Sequence, residues 1–109
     1  MSLFEENRIN YQAAIDLNPS FSLKGKKMLY TSSNGYMFSL LNKVGELGIR
    51  LSKEQKDLFQ QENELHPFFS HGATMKDYVL IAPNLIADVK KTALWLKYGF
   101  EYVNSLTPK

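Results

Sequence analysis

Apolar residues recur at helical spacing in the first segment, where Phe4, Arg8, Tyr11 and Ile15 share a face flanked by Ile9, Ala13 and Ala14. Ser2 and Glu5 have the Ser-x-x-Glu form of a capping box. Asn18-Pro19 ends the pattern, because the residue before proline avoids the α region. The spacing thus predicts a helix over about 2–17. The rhythm then shortens. Met28-Leu29-Tyr30 is a short apolar run, and Asn34-Gly35 supplies the positive φ angles of a type I′ hairpin turn. Tyr36 to Leu41 is apolar on both faces apart from Ser39, which suggests a central, doubly covered or interface-lining strand. Asn42 to Gly45 is turn chemistry, and Leu47, Ile49 and Leu51 alternate as a half-buried strand. Strands are expected within about 26–51, as an antiparallel meander.

Ser52-Lys53-Glu54-Gln55 is a second capping box. It predicts a helix over about 53–62, with Leu58 and Phe59 inward and Lys53, Lys56, Asp57 and Gln60 outward. His66-Pro67 ends that region. Strands within about 67–82 follow, Phe68-Phe69 and Met75 to Ala82, separated by a turn over Ser70 to Thr74. Pro83 suits the first position of a last helix over about 84–106, and residues 107–109 read as a frayed end. The order α-β-β-β-α-β-β-α defines an α+β, two-layer domain with an antiparallel sheet. One domain spanning 1–109 is expected, with no internal repeat or linker.

The last helix carries two stripes. Ile86, Val89, Ala93, Leu96, Phe100 and Val103 form a core face about 100° wide. Trp95, Tyr98, Tyr102 and Leu106 form a second stripe centred roughly 145° around the helix. Either the first helix or a loop covers that stripe inside the monomer, or it is a protein–protein surface, most simply a homodimer's.

Composition narrows the chemistry. Thirteen basic and 11 acidic residues give a net charge of +2 over 109 residues, which is no polyanion-binding signature. Lys24, Lys26 and Lys27 cluster before the first strand, and Lys90, Lys91 and Lys97 lie on the last helix. No helix-turn-helix or RNA-stacking pattern accompanies them, so direct nucleic-acid binding is not expected. With no cysteine, disulfides, thiol catalysis and thiolate metal sites are excluded. His66 and His71 lack metal-ligand spacing and read as ordinary surface or turn residues, with Asp77 or Glu64 as nearby carboxylates. No metal and no cofactor are expected. No apolar run approaches a membrane span and no secretory leader is evident, so a cytoplasmic protein without membrane contact is the expectation. Nucleophile-elbow, phosphate-loop and dinucleotide motifs do not occur, and no catalytic residues are assigned.

From Lys27 onward the chain resembles the TfoX N-terminal domain family. The residues that carry the likeness are Lys27-Met28, Asn34-Gly35-Tyr36-Met37-Phe38, Arg50-Leu51-Ser52-Lys53-Glu54, Pro67-Phe68, Gly72, Met75-Lys76-Asp77-Tyr78-Val79, Pro83 and the aromatic-rich last helix. Many members carry glycines after the first-strand aromatic, where this chain has Thr31-Ser32-Ser33. The resemblance implies a secretion-chaperone-like architecture and a link to transcriptional regulation, since the founding member regulates competence genes in bacteria. It brings no catalytic residues. Full-length regulators also carry a C-terminal domain outside the matching stretch.

Within Met75 to Tyr78, strand alternation would set Lys76 and Tyr78 on one face and Met75 and Asp77 on the other. Arg50 could pair with Asp77. The motif is either core packing with snorkelling stems, or a ligand region where Arg50, Lys76 and Tyr78 converge. Two functions follow: a non-enzymatic interaction domain that dimerises or meets a protein partner, or a small-ligand-binding or catalytic domain built on Arg50, Lys76 and Tyr78.

Overall fold

A computed structural model describes residues 2–70 and 72–109. The expected turn residue His71 lies outside them. The elements are α1 (Leu3–Asp16), β1 (Leu29–Ser33), β2 (Tyr36–Leu41), β3 (Leu47–Arg50), α2 (Lys53–Gln60), β4 (Pro67–Ser70), β5 (Ala73–Ile81), α3 (Pro83–Ile86) and α4 (Val89–Asn104). The strands form one five-stranded antiparallel sheet in the order β1-β2-β3-β5-β4. The fold is therefore α+β, in roughly the element order read from the sequence.

Ser2 and Ser52 both cap helix starts, the second within a complete capping box. The Ser2 hydroxyl accepts from the Glu5 amide. The Ser52 hydroxyl accepts from the Gln55 amide, and the Gln55 side-chain oxygen accepts from the Ser52 amide. The last helical segment, expected to be continuous, is two helices. Asp88 interrupts it, because its carboxylate caps a new helix start by accepting from the Lys91 amide. Leu58 is also corrected: it is 42% exposed, while its neighbour Phe59 is buried. One turn of α2 can present only one of these two adjacent side chains to the core.

The helix-facing side of the sheet holds the main core. Leu41, Leu47, Ile49, Val79 and Ile81 pack there with Tyr11 and Ile15 of α1 and with Ala93 and Leu96 of α4. A register shift at Thr31/Ser32 lets β2 place Phe38 on this side, against Phe21 and Phe100 at ring centroid distances of 5.0 and 5.8 Å. Inside the core, the Ser39 hydroxyl is hydrogen-bonded to both the Tyr11 phenol and the Thr31 hydroxyl. Burial pushes the Tyr11 phenol well above its ordinary pKa, against the two hydroxyl contacts that pull the other way.

The opposite side carries a smaller cluster to which no helix contributes. Leu40, Phe68 and Tyr78 are buried there beneath the partly buried Met28, Tyr30, Met37, Met75 and Leu80. Gly48 makes it possible. A Cβ built on Gly48 would stand 2.4 Å from the Phe68 ring, so that ring lies flat over the bare backbone of β3. Phe68 also stacks on Tyr78 at 6.0 Å.

The β1–β2 hairpin closes on Asn34 and Gly35, both at positive φ, 57° and 84°. Asn34 has a second task. Its side-chain amide donates to the carbonyls of Val103 (2.9 Å) and Leu106 (3.0 Å), tying the hairpin tip to the end of α4 and the segment after it. The expected frayed end is docked there too. The Tyr36 phenol donates to the Thr107 carbonyl, and the Lys109 amide donates to the Asn34 carbonyl. Asn34→Gly keeps the turn geometry and removes only the two side-chain bonds. It should cost about 1–3 kcal/mol in urea unfolding. A change below about 0.3 kcal/mol would show that the latch contributes nothing.

Candidate functional site

The second stripe of the last helix does not form a free aromatic face. Trp95 is only 5% exposed and meets Phe59 of α2 edge-on at 5.0 Å and Tyr98 at 5.2 Å. At this end of the stripe α2 supplies cover, and its Gln55 side chain also donates to the Tyr98 carbonyl. Tyr102 is half-buried and carries the Arg50 guanidinium over its ring at 5.5 Å. Leu106 is half-buried, and its carbonyl is held by Asn34. The indole expected at an interface is thus inside the monomer, and only Tyr98, Tyr102 and Leu106 keep partial exposure.

The structure brings Arg50 and Tyr78 side by side and leaves Lys76 exposed. Arg50 and Tyr78 are register partners across β3 and β5. The Arg50 guanidinium lies between Tyr36 and Tyr102, 5.4 and 5.5 Å from the ring centroids. Its Nη2 stands 4.0 Å from the Asp77 carboxylate, the pairing the sequence suggested. That carboxylate also takes the Lys56 ammonium at 3.1 Å. The buried Arg50 Nε has no hydrogen-bond partner among the described residues. Lys76 is exposed. The Tyr78 phenol is spent on the Met37 carbonyl at 2.7 Å. Burial pushes its pKa well up, while the nearby Arg50 charge pulls it down by less.

Strand alternation fails across this motif. Asp77 adopts a left-handed φ of 71°, and the register between β4 and β5 shifts beside it. Such a bulge re-aims the residues on either side. Met75 and Tyr78 therefore enter the same cluster, where strict alternation would have separated them. Aspartate is among the few residues that tolerate this conformation.

The feature that sequence reasoning missed is the helix-free face of the sheet. Its partly buried rim holds three methionines, Met28, Met37 and Met75, with Tyr30 and Leu80. The one signal for it in the sequence is the two-sided apolar character of Tyr36 to Leu41. His66 is exposed and pairs with Glu64 at 3.0 Å. Among the described residues no group of three or more histidines and acidic residues is placed to hold a metal. Among the described residues no helix is long and apolar enough to cross a membrane.

No family model, curated protein or solved structure matches this chain. The likeness to the TfoX N-terminal domain rests on the residues quoted for it.

Proposed function

We propose that this chain is a non-enzymatic interaction domain that pairs with a second copy of itself through the helix-free face of the sheet. The observation that carries this reading is the thinness of that face: Leu40, Phe68 and Tyr78 are buried under side chains that are themselves half exposed. A sheet needs an apolar layer on each apolar face, and here one layer is a helical layer while the other is a single shell of side chains. Methionine suits a surface that must adapt to a partner, because its flexible thioether fills irregular gaps. Two-fold pairing of such faces is the commonest symmetry for a homo-oligomer. The partly exposed Tyr98, Tyr102 and Leu106 offer a second, smaller contact for another protein. A cytoplasmic setting fits a chain with no cysteine. The resemblance to the TfoX domain suggests that its contacts serve transcriptional regulation.

Light scattering after size exclusion tests the pairing. A dimer is expected at high micromolar concentration, and Met37→Glu should convert it to monomer with the circular dichroism spectrum preserved. A strict monomer for the unsubstituted chain sinks the reading. The second reading, a ligand-binding or catalytic domain on the Arg50, Lys76 and Tyr78 region, is favoured by one observation, the unpartnered Arg50 Nε. A ligand effect lost in Arg50→Lys, with unchanged dimerisation, would support it.

A further inference from the structure

The lysines before β1 meet a lysine that the sequence left elsewhere. Lys26 and Lys27 line a groove of about 400 Å³ together with Lys43 of the β2–β3 turn, and Phe4 forms its apolar wall. None of the three lysines takes part in a salt bridge among the described residues. Glu5 pairs with Arg8, and the Glu46 carboxylate, which stays charged, accepts from the Asn42 amide. Lys90, Lys91 and Lys97 do not line this groove.

Lys43 also lines a second cavity, of about 310 Å³, with Met28, Val44, Glu46, Phe69 and Ser70 among its other walls. Two of those apolar residues are unusually bare, Val44 at 65% and Phe69 at 54% exposed. The Ser70 side chain is the reverse case. It is only 7% exposed, and its Oγ has no hydrogen-bond partner among the described residues.

We infer that the two cavities form one site for a soluble phosphate monoester with an apolar tail, its phosphate over Lys26, Lys27 and Lys43 and its tail along Met28, Val44 and Phe69. Three ammonium groups with no guanidinium fork recognise charge density, which suits phosphate better than a planar carboxylate. Both are shallow depressions open to solvent, so a ligand would lie along the surface with its phosphate held by charge. The shared Lys43 sets the junction between head and tail. This site lies apart from the lysine-free cluster proposed for dimerisation, except for Met28, which belongs to both.

The test titrates the full chain with n-hexyl phosphate, inorganic phosphate and n-hexanol, each below any micellar concentration, reading amide chemical shifts. Hexyl phosphate is expected to bind at least tenfold more tightly than either fragment, with shifts centred on residues 26–28 and 42–46. Replacing Lys26, Lys27 and Lys43 together by alanine should weaken it at least tenfold. Phe69→Ser should weaken hexyl phosphate and leave inorganic phosphate unchanged. These side chains are exposed, so the fold should survive the changes, and unaltered dispersion of the remaining amides checks it. Equal affinity for hexyl phosphate and hexanol overturns the proposal. So do unaffected lysine variants, and so does binding confined to anionic phosphatidylserine vesicles. The dimer is read separately by light scattering, so loss of one property leaves the other measurable.

Discussion

Gly48→Val should destabilise the fold by at least about 3 kcal/mol, at or above the upper end of ordinary overpacking. Even the first added carbon would stand 2.4 to 2.7 Å from three atoms of the Phe68 ring. Two further methyl carbons have nowhere to go, because Gly48 pairs with Leu40 on one side and Leu80 on the other. Phe68 cannot simply swing aside, since it is fully buried and stacked on Tyr78. The remedy is as informative as the damage. Phe68→Ala alone should cost about 3–5 kcal/mol. Combined with Gly48→Val, the loss should fall short of the sum by more than about 1 kcal/mol, because the new side chain occupies part of the cavity. Urea denaturation of the four proteins gives that coupling. Simple additivity would mean that Phe68 does not lie over Gly48.

Alkali should unfold the protein with unusual steepness. Tyr11 and Tyr78 both have folded-state pKa values raised by burial above the ordinary phenol value of 10.0. The raised pKa means that the folded chain keeps protons that the unfolded chain releases. Stability is then complete below about pH 10 and falls as pH rises through the window between the unfolded and folded values. Each phenol contributes a slope of about 1.4 kcal/mol per pH unit in that window. Two together approach about 2.7 kcal/mol per unit, enough to exhaust a typical stability of 5–15 kcal/mol within a few units. Lysines also titrate there, so the decisive quantity is the difference between variants. Tyr11→Phe should lower stability at pH 8 by about 1 kcal/mol, from the lost bond to Ser39, and should make the alkaline slope shallower. Urea midpoints from pH 8 to 11 supply both numbers. An unchanged slope would show that Tyr11 ionises in the folded state as easily as in the unfolded one.

Local signals carried much of the fold. The Ser2 cap, the Ser52–Gln55 capping box, the Asn34-Gly35 turn and the Val89 to Val103 stripe act within a few residues, so they can be read from one segment. The break at Asp88 was equally local, and an aspartate three residues before Lys91 was its visible sign. Other features depend on partners far along the chain. Trp95 looked uncovered because its cover, Phe59, belongs to a helix separated from it by two strands. Gly48 is an ordinary glycine until β5 inserts between β3 and β4 and Phe68 reaches across it. The candidate sites follow the same division. The Arg50–Asp77 pairing followed from the residue types. The bulge at Asp77 followed from nothing periodic, and beside it Lys76 stays exposed while Tyr78 is buried next to Arg50.

The Asn34 latch also bears on the order of events during synthesis. Its two bonds join residues 69 and 72 positions apart. A ribosome makes the β1–β2 hairpin long before it makes the end of α4. The turn can close early, being local, but the side-chain amide at its tip has no acceptors until the last residues emerge. Until then the hairpin tip stays without its anchor, and docking of the last helix should be what locks it in place.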